Sequence, residues 1–253
     1  MCALQSKSDR LYQRMRQDIL RLDLAPGSAL RVHSLSERYG IGLTPVRECL
    51  NRLSTEQLVI PEHNKGFRVA QLSLDGLLDL EQSRSTIEGK LFFDAITHGD
   101  DAWEATVVGS FHHLSRSPVP SILQDDTALE DWTRYHERFH NALIAAAPSP
   151  LMQRFRKTIT DRLGRYYIHI QNGLRDLAQT KPDQAERAAQ VFATSMELAP
   201  HQRLYDVALN RDADAAMESF AGHSSISTQA FLQLGDLLQN NGVDARSFQE
   251  ALS

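Results

Sequence analysis

The sequence predicts a mainly α-helical protein in two parts, and three observations support this prediction. Apolar residues recur at helical spacing over most of the 253 residues. Two β-rich runs, 58–60 and 67–69, flank a glycine-containing turn and predict one small β-hairpin. Beyond residue 74 the helical patterns are long, and glycine or proline separates one from the next. The expected parts are an N-terminal domain with the hairpin, a helical domain and a C-terminal tail: 1–72, 73–240 and 241–253.

Three helices are predicted before the hairpin. An amphipathic pattern spans Leu11–Leu22 and ends at a Leu-Ala-Pro-Gly break. The segment Ser34–Glu37 matches a capping box, which would begin a second helix that ends at Gly40. In the third helix Thr44 is the expected N-cap and Pro45 the first residue. Two short helices around a tight turn, followed by a hairpin, predict a winged helix-turn-helix whose second helix enters the DNA major groove.

Side chains in this first part are candidate contacts to DNA. Arg47 lies off the apolar stripe of the third helix and could reach a guanine edge or a phosphate. The other candidates begin that helix, occupy the hairpin turn or carry positive charge toward phosphate: Thr44, Lys65, Gly66, Arg38 and Arg52. Residues 1–70 contain 11 Lys and Arg against 7 Asp and Glu, and the remainder contains 16 against 25. A basic segment on an acidic body favours an anionic partner for the first part only.

Composition excludes several classes of protein. No run of eighteen apolar residues is present, so no transmembrane helix and no membrane partner are expected. The N-terminal residues lack the apolar core of a signal peptide. Cys2 and Cys49 are too few for a disulfide framework, which favours a reducing cytoplasm as the place of action.

The second part is predicted to be an all-α bundle of six or seven helices. Its breaks are prolines and the pairs His98-Gly99 and Asn172-Gly173, which favour turns over helix. The helical patterns, in chain order, span Leu74–Ile96, Asp101–Ser115, Thr127–Ala146, Leu151–Gln171, Pro182–Met196, Pro200–Leu209 and Asp212–Leu238.

Four of the ten histidines form a candidate metal site. His136 and His140 are four residues apart, so they share one face of the third bundle helix. His201 and His223 lie on two later helices. Imidazoles on neighbouring helices of a bundle can converge on a divalent metal, which takes three or four such ligands. The alternative is a set of polar histidines that line a cavity without a metal.

A second motif overlaps this site. His136-Glu137-Arg138-Phe139-His140 has the H-E-x-x-H pattern, in which both histidines bind zinc and Glu137 would activate a zinc-bound water. This pattern supports an alternative function, a zinc hydrolase. The predicted winged helix-turn-helix and the later histidines are not part of that motif and argue against it.

The motifs of the first part resemble the GntR family of bacterial transcription regulators. The usual family pattern is a Leu-x-Pro-Gly turn, a Thr-Pro-Val-Arg-Glu recognition helix and an Asn-x-Gly wing. All three occur here in order, at 24–27, 44–48 and 64–66. The resemblance implies a DNA-binding regulator, more often a repressor than an activator, and not an enzyme.

The helical part resembles the FadR C-terminal (FCD) ligand-binding domain of that family. The matching motifs are Arg84-x-x-x-Glu88, Phe139-His140-x-Ala142-Leu143, the helix of His201 and His223 in the last helix. The resemblance implies a metal held by one Asp and three His. His136 stands at the Asp position, so the ligand set is four neutral imidazoles, which favours Zn²⁺ or Ni²⁺ over Mn²⁺.

A metal at this site would leave coordination positions open for a carboxylate, so a small organic acid is the expected effector. Arg84 could clamp the acid, and Arg162 and Tyr166 are further candidates. One winged helix recognises few base pairs, so a homodimer on a palindromic operator is expected. Effector binding would change the spacing of the two wings in that dimer. The remaining alternative is a DNA-binding dimer that has no sensor ligand.

Overall fold

The computed structural model describes residues 6–63, 66–123 and 126–240. Lys65, predicted to contact DNA, and the predicted tail at 241–253 lie outside the described residues. The chain divides into two compact units. The first contains the residues up to Leu77 and the segment Asp161–His169, and the second contains Leu78–Thr160 and the described chain from Ile170 to Asn240.

The first unit contains three helices and a three-stranded antiparallel sheet. The helices are α1 (Lys7–Leu20), α2 (Val32–Tyr39) and α3 (Leu43–Thr55). The strands are β1 (Ala29–Leu30), β2 (Val59–Glu62) and β3 (Gly66–Val69), in the order β1-β3-β2. The predicted hairpin is therefore confirmed. The two-residue strand β1 was not predicted, because two residues cannot show a period-two pattern.

Apolar side chains from all three helices form the core of this unit. Met15 and Ile19 of α1 pack with Val46, Leu50 and Leu53 of α3, and all five are fully buried. Their three- and four-residue spacing is the amphipathic pattern that the sequence shows. Burial of these stripes leaves the opposite face of α3 open to solvent.

The beginnings of α2 and α3 differ from the prediction. The Ser34–Glu37 segment is not a capping box, since the N-cap of α2 is Arg31, three residues before Ser34, and its side chain makes no cap hydrogen bond. Thr44 is not an N-cap, since Gly42 holds that position and α3 begins at Leu43. The reason is the short turn: Gly40 closes α2 in the left-handed conformation with φ 65°, and the next helix begins three residues later. Pro45 is tolerated in the first turn because no backbone donor is needed there.

After the sheet, the described chain forms the predicted all-α bundle. Its helices are α4 (Leu74–His98), α5 (Asp101–Ser115), α6 (Asp126–Leu143), α7 (Pro150–Thr180), α8 (Pro182–Ala193), α9 (Leu198–Leu209) and α10 (Ala213–Asn240). A 3₁₀ turn, Thr194–Met196, follows α8. Asp100 and Ser149 cap α5 and α7 through their side chains, and the Asp212 carboxylate accepts a hydrogen bond from Ala215 N at the start of α10.

The predicted end of α7 was wrong. The helix continues through Asn172-Gly173 to Thr180, nine residues beyond the predicted end at Gln171. Leu174 and Leu177 are buried beyond the break, so packing outweighs the low helix propensity of the Asn-Gly pair. Pro182 ends the pattern, because the residue before a proline is disfavoured in helical conformation. Among the described helices, none is long and apolar enough to cross a membrane.

Candidate metal centre and nucleic-acid interface

The structure brings together the four histidines that the sequence singled out. His136 and His140 come from α6, His201 from α9 and His223 from α10. One ring nitrogen of each lies within 4.8 Å of the corresponding nitrogens of the other three. The ring centroids are 4.4 Å apart for the α6 pair and 4.6 Å apart for His201 and His223. Three of the side chains are buried and His136 is partly exposed.

Three of these histidines have a buried nitrogen with no hydrogen-bond partner among the residues that the structure describes. The atoms are His140 Nε2, His201 Nε2 and His223 Nδ1. An unpartnered buried polar atom costs about 1–3 kcal/mol, so such a cluster calls for a ligand. His201 Nδ1 lies 2.7 Å from the Glu197 carbonyl oxygen, which can only accept. The proton of neutral His201 is therefore on Nδ1, and Nε2 presents a lone pair, as in metal-bound histidines.

Burial keeps the four imidazoles neutral. It lowers the pKa of His136, His140 and His223 well below the ordinary value and that of His201 to about 4. The charges that the neighbouring histidines and Arg84 would place nearby lower the pKa values further. Neutral imidazole is the form that binds metal, so the cluster is ready for a cation near pH 7.

Aromatic rings hold two of the imidazoles in place. The Trp132 ring stacks on His136, with centroids 4.6 Å apart and an interplanar angle of 16°. The Phe220 ring meets His140 edge-on at 5.9 Å. Both aromatic side chains are buried, which excludes water from that side of the cluster. Sequence reasoning missed Trp132, although its position four residues before His136 places it on the same helix face.

A group of buried charges lies in the same compact unit as the histidine cluster. Arg84 Nε is 3.6 Å from carboxylate oxygens of both Glu81 and Glu88. Arg156 Nε is 2.8 Å from the other Glu88 oxygen. The Arg84 charge contributes to the lowered pKa of all four histidines of the cluster. The sequence pointed to Arg84 and Glu88 but not to Glu81 and Arg156.

Arg162 and Tyr166 lie elsewhere. Both belong to the first compact unit, in the middle of α7. Arg162 Nη1 is 3.0 Å from the Gln57 side-chain oxygen, and the Tyr166 hydroxyl accepts a hydrogen bond from Ser73 N. The structure therefore does not group them with the histidines, and their role in effector binding stays a prediction.

The candidate DNA-contacting residues differ in how far they are engaged within the chain. Within the described residues, Arg47 makes no ion pair or side-chain hydrogen bond, and it is exposed near the start of α3 beside Thr44. Arg38 pairs with Asp18 at 3.3 Å. Gly66 begins β3 with φ 94°, a conformation that favours glycine. The geometry thus leaves Arg47 freest to meet a phosphate or a base.

Arg52 is the most engaged of these candidates. Its guanidinium lies over the Tyr12 ring, 3.9 Å from the centroid, and its Nη1 is 3.0 Å from an Asp9 oxygen. Both partners are on α1, so Arg52 also joins α3 to α1. An exposed ion pair of this kind is weak, and a phosphate could still compete for the arginine.

A helix-turn-helix with a hairpin wing and a following all-α domain define the class of two-domain, DNA-binding transcription regulators. The comparison with known families makes this assignment specific. The model described as bacterial regulatory proteins, gntR family, matches residues 7–69, and the FCD domain model matches residues 79–225. The chain therefore belongs to the GntR family and carries an FCD domain.

Individual relatives of the chain support the same family assignment. The chain is 31% identical over 215 residues to the HTH-type transcriptional repressor GlaR of Escherichia coli K12, covering 84% of this chain and 90% of the relative. It is 31% identical over 232 residues to the HTH-type transcriptional regulator BphR of Paraburkholderia xenovorans LB400, covering 92% and 88%. Among solved structures, a GntR regulator of Rhodococcus sp. RHA1 has a TM-score of 0.61 at 17% identity, covering 90% of this chain and 98% of that one. That likeness concerns the fold alone.

The chain is thus a DNA-binding transcription regulator and not an enzyme. Both matched families consist of regulators, which removes the zinc-hydrolase alternative. The geometry agrees, because Glu137 is exposed on α6 whereas His140 is buried. The H-E-x-x-H pattern arises here because two histidines of the candidate metal centre flank an exposed glutamate.

Proposed function

We propose that this regulator is a repressor whose operator binding is controlled by a small organic acid, bound beside a divalent metal in the helical domain. One observation carries the proposal: four imidazoles converge, and three of them have a buried nitrogen without a hydrogen-bond partner in the described chain. GlaR, which is 31% identical to this chain, is named a repressor, and this supports repression over activation.

The residues present fit a metal ion. His136, His140, His201 and His223 would hold it, and Glu197 would fix the tautomer of His201. Four neutral nitrogen ligands suit Zn²⁺ first and Ni²⁺ second, since carboxylates are what Mn²⁺ prefers. When bound, the ion supplies a positive charge that attracts an anionic ligand oxygen.

Arg84 is the residue that would hold the acid. Its guanidinium is already flanked by the Glu81 and Glu88 carboxylates, so it is oriented before a ligand arrives. Arg156 shares Glu88 and adds a second positive charge. An incoming carboxylate would compete with the two glutamates for Arg84, and this competition couples acid binding to the packing of α4.

On DNA, we assign residues 1–72 to operator binding and 73–240 to sensing and dimerisation. A homodimer would present two winged helices to a palindromic operator. Thr44 and Arg47 would meet base edges, and the wing at Lys65 and Gly66 would meet the minor groove or phosphate. Arg38 and Arg52 remain phosphate candidates that must exchange their internal partners. Such a regulator acts in the cytoplasm, where bacterial DNA is.

The test combines metal analysis with operator binding. An operator selected from random DNA is titrated in gel shifts with zinc-loaded protein and a panel of small organic acids. We expect one equivalent of metal per chain and at least one acid that weakens operator binding. His140→Ala should lose both the metal and the response to the acid, whereas the exposed His112→Ala should lose neither.

Operator binding that no acid and no metal affects would favour the second candidate, a DNA-binding dimer without a sensor ligand.

A further inference from the structure

An exposed leucine begins α3, the second helix of the helix-turn-helix. Leu43 is the first residue of that helix and is 38% exposed. Within the described residues, it belongs neither to the buried core of the first unit nor to the partly buried side chains packed against that core. Val32, the first residue of α2, does pack against the core. Leu43 therefore does not stabilise the winged helix-turn-helix in the way that Val32 does.

The position of Leu43 is what requires an explanation, because single exposed leucines are ordinary on protein surfaces. Leu43 is four residues before Arg47, so the two side chains are neighbours on one side of α3. Thr44, Arg47 and Asn51 are exposed as well. In a helix-turn-helix the N-terminal residues of the second helix meet base edges in the major groove. Leu43 is therefore among the residues that come closest to the bases of an operator.

A leucine side chain is suited to only one feature of the major groove. It has neither a hydrogen-bond donor nor an acceptor, so it cannot pair with the polar atoms of the base edges. The apolar group that distinguishes one base pair from another there is the 5-methyl group of thymine. Contact between leucine and this methyl group removes apolar surface of both from water. A leucine against the polar edge of guanine would desolvate hydrogen-bonding atoms without replacing their partners.

We propose that Leu43 recognises a thymine of the operator through the 5-methyl group of that base. Four residues of helix span about 6 Å, and successive base pairs are about 3.4 Å apart. Each half-site then contains a thymine within about two base pairs of the position that Arg47 contacts. This inference rests on the proposed function, since it assumes that α3 meets the bases of a palindromic operator.

The experiment removes the methyl group from the DNA and the leucine side chain from the protein. An operator is selected from random DNA with the full-length protein, and its thymines are replaced one at a time by deoxyuridine, which pairs in the same way and lacks only the 5-methyl group. For the wild type, we expect one position in each half-site where the replacement weakens binding about fourfold, the factor that burial of one methyl group contributes. Leu43→Ala should weaken binding of the thymine operator by about the same factor and leave binding of the deoxyuridine operator unchanged.

The matched control is Ile60→Ala. Ile60 is an apolar residue of the same unit and is 49% exposed on β2. The minor groove, which the wing would meet, presents no methyl group, so this variant should keep the full effect of deoxyuridine. Leu43→Ala should also unfold at the same temperature as the wild type, since the exposed side chain is not part of the core.

Two results would overturn the proposal. The first is a wild-type protein that binds every deoxyuridine operator as tightly as the thymine operator. The second is a Leu43→Ala variant that weakens both operators by the same factor, which would assign Leu43 a role in packing. Arg47→Ala separates this inference from the proposed function. Unchanged operator affinity in that variant would remove the assumed placement of α3, whereas weakened affinity without any effect of deoxyuridine would remove the leucine contact alone.

Discussion

The two compact units differ in the burial and pairing of their polar side chains. In the winged helix-turn-helix the candidate DNA-contacting arginines Arg38, Arg47 and Arg52 are exposed, and Arg38 and Arg52 have weak, exchangeable partners. In the described part of the helical unit, three imidazole nitrogens and two hydroxyl oxygens are buried without a hydrogen-bond partner. The first arrangement suits a large, hydrated polyanion such as DNA. The second suits a small ligand that enters and replaces water completely.

The largest expected effect is that of zinc on stability. A ligand at a thousand times its Kd stabilises the native state by about 4 kcal/mol. We therefore expect saturating Zn²⁺ to raise the unfolding temperature of the helical unit by roughly 10 °C, measured by calorimetry of chelator-treated protein. His140→Ala should abolish the rise, and His112→Ala should keep it. An equal rise in both variants would mean that zinc binds elsewhere.

The next effect is a loss of stability in acid, confined to the helical unit. The pKa values of the four buried histidines are lowered by folding, so the unfolded chain binds more protons. Above about pH 6.5 the histidines are neutral in both states, and the free energy of unfolding does not depend on them. As the pH falls toward 4, that free energy decreases by at most about 1.4 kcal/mol per pH unit for each histidine. Urea unfolding of metal-free protein at pH 7.5, 6.0 and 5.0 measures this loss. Stability that rises on acidification would contradict the buried neutral state.

On the DNA side, Arg47→Ala should weaken specific operator binding by about 1–3 kcal/mol. The reason is that Arg47 has no ion pair or side-chain hydrogen bond within the described chain, so it is available to meet the operator. A gel-shift titration at fixed salt gives the affinity. Thermal stability serves as the control and should not change, since the side chain makes no contact that the fold needs.

A change of metal preference is expected from His136→Asp, which restores the donor set that the FCD domain usually has. A carboxylate is a harder ligand than imidazole, so the ratio of Zn²⁺ to Mn²⁺ affinity should fall, by about tenfold. Competition calorimetry with both metals measures the ratio. The same ratio in both proteins would show that His136 is not a ligand.

The smallest effect is expected for Arg52→Ala. Its charge is shared with Asp9 and the Tyr12 ring, so operator affinity should change by less than about threefold. A loss as large as that of Arg47→Ala would show that Arg52 leaves these partners on DNA and would weaken the distinction between the two arginines.

Most of the fold could be predicted from the sequence because the helices are strongly periodic and are punctuated by proline and glycine. The failures were local. Helix starts at Val32 and Leu43 use no side-chain cap, so no cap residue marks them. The Asn172-Gly173 pair does not end α7, because burial of Leu174 and Leu177 depends on packing that the sequence pattern does not show.

The candidate metal centre was predictable for a different reason. Two histidines four residues apart indicate a shared face, and the family resemblance points to the other two. What surrounds them could not be predicted. The contact between His201 and the Glu197 carbonyl and the Trp132 stack depend on how helices pack and on rotamers.

The most direct test of the central claim is anomalous X-ray scattering across the zinc and nickel absorption edges, on crystals of the metal-supplemented protein. We expect one peak per chain, at about 2.0–2.2 Å from a ring nitrogen of each of His136, His140, His201 and His223. A peak at other residues, or no peak at these four after supplementation, would contradict the assignment of a metal-dependent sensor.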